Sequence, residues 1–126
     1  MSNIRANTIS DAAGTGPITL TGQSAAKAYS SFDSVSTVAV RDSFNSSSIT
    51  DYGTGAFTIN FTSNMANDDY APTGMAGGFR TTYYSRSLLP DGYTAGAFSF
   101  RCHYQPNNDA YYDSYNQHII IFGDLA

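Results

Sequence analysis

Ser48-Ile49-Thr50-Asp51-Tyr52-Gly53-Thr54-Gly55-Ala56-Phe57-Thr58-Ile59-Asn60-Phe61 is the stretch on which the fold turns. Phe57, Ile59 and Phe61 alternate with Thr58, Asn60 and Thr62, the period-two pattern of a strand with one buried face. Gly53 and Gly55, placed just after Asp51, can take the positive φ angles that a tight connection between antiparallel strands requires. The segment is predicted to be a β-hairpin with an apolar inner face.

Upstream, residues 28–32 and 35–40 read as strands, the second with Val38 and Val40 on one face and Thr37, Ala39 and Arg41 on the other. Downstream, residues 64–69 are a polar connection, and residues 70–78 carry Pro72, Gly74, Gly77 and Gly78, which predicts broken strand or loop. Residues 79–87 read as a strand with Phe79, Thr81 and Tyr83 opposite Arg80, Thr82 and Tyr84, and Pro90-Asp91-Gly92 reads as a turn. Phe98, Phe100 and Cys102 alternate with Ser99, Arg101 and His103, so Cys102 is expected to be buried. A polar loop over residues 105–116 and an apolar strand over 118–122 follow. Short strands separated by glycine-rich turns favour an all-β fold, here a small antiparallel β-sandwich over residues 27–126.

Composition agrees. The 126 residues are one domain's worth, and 13% charged residues among abundant Ser, Thr, Gly and Asn disfavour helix. The net charge is −4, and Lys27 and the arginines are scattered, whereas a phosphate backbone asks for a basic patch; no nucleic acid is expected as partner. Cys102 is the single cysteine, which excludes an internal disulfide. Residues 1–12 lack the basic and apolar regions of a signal peptide, and no apolar run reaches membrane-spanning length. No membrane insertion is expected, and synthesis and assembly are expected in a cytoplasm.

Residues 1–26 differ from the rest. They are rich in Asn, Ser, Thr, Ala and Gly, and their single apolar alternation is Ile18 and Leu20, after the breaker Gly14-Thr15-Gly16-Pro17. Such a segment cannot bury enough surface alone; it is either a mobile arm or becomes ordered against a neighbouring subunit or another protein. It is assigned as an N-terminal arm for attachment or trimerisation.

Lys27-Ala28-Tyr29 through Phe32, then Ser36-Thr37-Val38-Ala39-Val40-Arg41-Asp42-Ser43-Phe44-Asn45, then Ser47 through Gly55 with Phe57-Thr58-Ile59-Asn60-Phe61-Thr62, resembles a module that recurs in bacteriophage tail-fibre and related virion proteins. The resemblance covers roughly a third of the chain and extends weakly to Tyr70; Tyr29 stands where the family often has Trp. Asn7-Thr8-Ile9-Ser10-Asp11 is similar to the lead-in that joins this module to a fibre, so Asn3, Ile4, Asn7 and Ile9 are the residues expected to carry particle attachment. The resemblance implies a homotrimeric virion protein without enzymatic activity, assembled in the host cytoplasm. Because the module here lies close to Met1, a short tail fibre, a tail-tip component and a capsid-decorating protein all remain open.

Aromatic and short polar side chains gather outside the module. Tyr83, Tyr84, Tyr104, Tyr111, Tyr112 and Tyr115 beside Asn107, Asn108 and Asp109 suit a host-surface glycan: flat rings stack on sugar faces while amides and carboxylates bond to hydroxyls. The competing reading is packing, since tyrosine serves half-buried sheets well. His103 and His118 have no ligand spacing, and neither Asp68-Asp69 nor the loop from Asp109 to Asp113 has the regular spacing of a calcium site; no metal or cofactor is expected. No Gly-x-Ser-x-Gly elbow or phosphate loop occurs, which makes a glycan-processing enzyme the minority reading. The leading expectation is a tail-fibre or tail-tip adhesin, and the alternative is a head-fibre, cement or tail-assembly protein that binds only other tail or capsid proteins.

Overall fold

The computed structural model describes residues 25–77, 85–104 and 110–126. The predicted hairpin is β3 (Ser46–Asp51) and β4 (Ala56–Phe61), in register through Ile49↔Ile59, Thr50↔Thr58 and Asp51↔Phe57. Phe57, Ile59 and Phe61 are buried, and the turn glycines have φ of 107° at Gly53 and 67° at Gly55. Asp51 Oδ1 accepts the Gly53 amide at 2.8 Å, a side-chain turn bond that starts the connection.

The remaining strands are β1 (Ala26–Asp33), β2 (Ala39–Phe44), β5 (Ala71–Gly77), β6 (Ser85–Thr94), β7 (Ala97–Tyr104), β8 (Ala110–Tyr111) and β9 (Asn116–Phe122). No helix occurs among the described residues. The strands run β2-β1-β9-β5-β6-β7-β4-β3, every pairing antiparallel, with β8 beside β7. Where two separate sheets were expected, β6 bonds to β5 at its start and to β7 along the rest of its length. The result is one antiparallel sheet nearly closed into a barrel.

Two corners shape that closure. β2 and β3, the ends of the strand order, are joined by Asn45 alone, which takes φ 51°. At the opposite end of the strands, β5 and β6 pair only through Ala76↔Arg86 and Gly77↔Ser85 and then separate. Pro72 and Pro90 stand on the two diverging strands, and proline has no amide to give a ladder.

Three local expectations are corrected. Residues 35–38 form the β1–β2 turn rather than strand, because Asp33 Oδ1 captures the Val35 amide at 2.8 Å and Ser36 takes φ 71°, so pairing begins at Ala39. Residues 71–77 form a regular strand despite Pro72 and Gly74; Gly74 lets β5 lie against β9, for a Cβ there would collide with the His118 carbonyl oxygen. Pro90-Asp91-Gly92 is absorbed as a bulge inside β6, and the chain reverses instead at Ala95-Gly96. The strand expected over 79–87 lies outside the described residues except for the start of β6.

The core is aromatic. Phe32 meets Phe57 edge-on at 5.6 Å, Phe57 meets Phe100 at 5.9 Å, and Phe98 stacks on Phe100 at 5.7 Å. Ala28, Ile59, Met65, Ile119 and Ile121 fill the spaces between, drawing β1, β4, β7 and β9 onto one centre. Each such large side chain contributes about 1.5–3 kcal/mol on burial, and aromatic pairs about 0.5–1.5 kcal/mol more. Lys27 is the second residue of β1, and among the described residues the buried core cluster runs from Ala28 to Ile121.

Candidate functional site

The alternation that buries Phe98, Phe100 and Cys102 turns Ser99 and Arg101 outward from β7. Ser99 pairs with Thr58 of β4, their hydroxyls 2.6 Å apart, and Arg101 pairs with Leu89 of β6. The bulge between Pro90 and Gly92 places the extra residue, Asp91, beside Arg101, and Arg101 Nε donates to Asp91 Oδ2 at 3.0 Å. Re-aiming one side chain is what an inserted residue does in a ladder. This bond with Asp91 holds the Arg101 guanidinium in its charged form, although an exposed pair of this kind adds little to stability.

Tyrosines flank these groups. Tyr52 leaves the β3–β4 turn 71% exposed, its backbone held by Tyr52 N–H to Ala56 O at 2.9 Å. Tyr111 lies on β8 beside His103, 44% exposed, and the Arg101 guanidinium sits 5.0 Å from its ring centroid. A cation over a ring contributes about 0.5–1 kcal/mol at an exposed site and fixes the orientation of both groups. Gly55 brings the two tyrosines to one side. Its amide donates to Asp113 Oδ1 at 2.8 Å, and a Cβ there would be 2.9 Å from Tyr111 Cβ and 2.6 Å from the Tyr112 nitrogen, so only glycine allows β8 to approach the turn this closely.

Tyr52, Ala56, Thr58, Asp91, Ser99 and Arg101, with edges of Phe57 and Phe100, line a groove of about 300 Å³. It offers hydroxyl, carboxylate and guanidinium groups beside the exposed Tyr52 ring. That set can bond to sugar hydroxyls and stack on sugar faces, and the volume is at the small end of ligand sites.

Of the residues expected to contact glycan, Tyr111 is exposed and adjoins this groove. Tyr104 is 8% exposed and packs edge-on against Tyr112 at 5.6 Å, so both serve the interior end of β7 and β8 more than the surface. Tyr112 is half-buried beneath the Arg86 guanidinium, and the half-buried Tyr115 gives its carbonyl to Arg41 Nη2 at 2.5 Å. Tyr83, Tyr84, Asn107, Asn108 and Asp109, like Asn3, Ile4, Asn7 and Ile9, lie outside the described residues. Tyr52, Thr58, Asp91, Ser99 and Arg101 were not singled out from the sequence. The outward alternation of β7 could have nominated Ser99 and Arg101, but nothing local links them to Tyr52 or reveals the bulge at Asp91.

Ser34, Cys102 and Ser114 are buried: Ser114 N–H donates to Ser34 Oγ at 2.8 Å, Gln117 Nε2 donates to the same oxygen at 2.6 Å, and Arg86 Nη1 donates to Ser114 Oγ at 2.5 Å. Burial pushes the Cys102 thiol up, against a smaller opposing effect of its contact with Ser114. Such a cluster fastens β1, β6, β7 and the start of β9 together. His103 is buried rather than at the surface, while His118 is exposed on β9. No group of three or more His, Cys, Asp or Glu suited to a metal ion occurs among the described residues. Among them, too, no helix is long and apolar enough to cross a membrane.

Comparison with known proteins finds no matching family model, no matching curated protein and no matching solved structure.

Proposed function

We propose that this chain is a non-enzymatic structural protein of a bacteriophage particle, a short tail fibre or tail-tip adhesin, that contacts host-surface glycan through the Tyr52–Arg101–Tyr111 face. The resemblance over residues 27–70 supports the particle, and one observation carries the contact: exposed Tyr52 lines the Thr58–Ser99 groove with Asp91 and Arg101, and exposed Tyr111 lies against the same Arg101. A homotrimer would present this shallow face in several copies, and linked weak sites gain avidity without new contacts. In this reading the arm ahead of β1 attaches the domain to the particle through Asn3, Ile4, Asn7 and Ile9.

A second reading, a capsid-decorating or tail-assembly subunit that binds only virion partners, draws on a different face. Phe44, Tyr29, Ile120 and Thr73 form one cross-strand row on the outside of β2, β1, β9 and β5, and Phe44 and Ile120 are 51% and 41% exposed. Exposed apolar rows of this kind mark protein contacts.

Glycan-array and host-cell binding of the purified chain separates the two. The adhesin reading expects saccharide binding that falls about tenfold or more in a Tyr52→Ala, Tyr111→Ala double variant of unchanged circular dichroism, as for loss of one or two stacking contacts. Binding that survives both substitutions removes this face from the reading, and absence of the protein from purified particles overturns the virion assignment itself.

A further inference from the structure

Arg86 Nε and Gln117 Oε1 are both shut off from solvent, and neither has a hydrogen-bond partner among the described residues. They are complementary in kind, since the first can only donate and the second only accept. Strand pairing brings them to one place. Ala76 of β5 pairs with Gln117 of β9 on one side and with Arg86 of β6 on the other, so the three residues form one cross-strand row. Directly opposite residues of antiparallel strands share a face, and that face is the interior, because Gln117 is fully buried. Arg86 and Gln117 therefore stand two strand spacings apart, roughly 10 Å, with only the Ala76 methyl between them.

The other polar atoms of both side chains are taken. Arg86 Nη1 donates to the Asp113 carbonyl and to Ser114 Oγ, and the guanidinium lies over the Tyr112 ring, 5.5 Å from its centroid. No ion pair of Arg86 occurs among the described residues, so its charge is met by neutral oxygens. Gln117 Nε2 donates to Ser34 Oγ at 2.6 Å, which turns Oε1, the other branch of the planar amide, away from Ser34. Ser114 N–H donates to the same Ser34 oxygen at 2.8 Å. Arg86, Ser114, Ser34 and Gln117 thus form an open chain of hydrogen bonds whose two ends are the orphaned donor and the orphaned acceptor. We propose that one buried water molecule binds over Ala76, accepting a hydrogen bond from Arg86 Nε–H and donating one to Gln117 Oε1. Water suits the pair because it both accepts and donates; an anion would turn an acceptor toward the Gln117 oxygen, and an apolar molecule would leave both groups unpaired. The water closes the chain into a ring that spans β9, β5 and β6 at Ala76↔Arg86, one of the two pairs through which β5 and β6 meet.

A high-resolution crystal structure of the full chain tests the site directly. An ordered water within hydrogen-bond distance of both Arg86 Nε and Gln117 Oε1 is expected; a direct bond between these two atoms, or no water shared by them, overturns the proposal. An isosteric pair of variants tests it in solution. The valine of Ala76→Val displaces the water and leaves both groups unpaired, whereas the threonine of Ala76→Thr has the same shape and brings a hydroxyl that accepts and donates in the water's place. The unfolding equilibrium constant in urea is expected to be about tenfold or more larger for Ala76→Val than for Ala76→Thr. Equal stability of the two, or a more stable valine variant, would show that the space over Ala76 is apolar and overturns the water site.

Discussion

Asn45 and Ser63 hold each other through two reciprocal hydrogen bonds: Asn45 Nδ2 donates to the Ser63 carbonyl at 3.0 Å, and the Ser63 amide donates to Asn45 Oδ1 at 2.7 Å. The same Nδ2 donates to the Lys27 carbonyl of β1 at 3.0 Å. One side chain therefore ties β1 to the segment following β4, across the corner where the first and last strands of the sheet meet. Asparagine suits the place twice over, since its short amide supplies donor and acceptor while its backbone tolerates the left-handed conformation.

Asn45→Ala removes all of these bonds and retains the backbone strain. A loss of about 2–3 kcal/mol is expected in urea unfolding. Asn45→Gly, which relieves the strain alone, is expected to cost less, about 1–2 kcal/mol. Equal losses in the two variants would show that the backbone conformation contributes nothing at this corner.

The turn glycines should differ in sensitivity. At Gly53 a Cβ meets nothing within 4 Å, so Gly53→Ala is expected to cost only conformational strain, about 1–2 kcal/mol. At Gly55 it meets the Tyr112 nitrogen at 2.6 Å and the Cys102 carbonyl oxygen at 2.8 Å, both backbone atoms that cannot step aside. Gly55→Ala should therefore cost about 3 kcal/mol or more and shift the Tyr111 ring signals in an NMR spectrum.

Tyr70 gives a pH dependence with a definite sign. Burial pushes its phenol up to about 12, and its hydroxyl donates to the Ala97 carbonyl at 2.7 Å. A folded-state value above the unfolded value of about 10 favours folding fully below pH 10, and that contribution is lost as pH rises toward 12. Tyr70→Phe is expected to lose about 1 kcal/mol at pH 8 and to flatten the fall in stability between pH 10 and 12 measured by chemical denaturation. An unchanged slope there would assign the alkaline transition to other groups.

Cys102 should resist thiol reagents until the domain opens. It is fully buried, and its raised thiol value reduces the thiolate fraction further. Labelling at pH 8 is expected to be about a hundredfold slower in the native protein than in urea. Rapid native labelling would place an opening at the β7–β8 end.

The sequence by itself determined the all-β class, the β3–β4 hairpin with its glycine turn, the inward faces of β4 and β7, and the burial of Cys102. All of these depend on period-two alternation or on turn chemistry within a few residues, where side-chain direction follows directly from chain position. Only the tertiary structure decided that one sheet curls on itself around Asn45, that Gly74 lets β5 continue as a regular strand, and that Pro90–Gly92 is a bulge and not a turn. It also decided which tyrosines face outward: Tyr52 and Tyr111 are brought together across the Gly55 contact, while Tyr104 turns into the interior. Those outcomes depend on strand pairing between residues far apart in the chain, and pairing register leaves no mark in any single stretch of sequence.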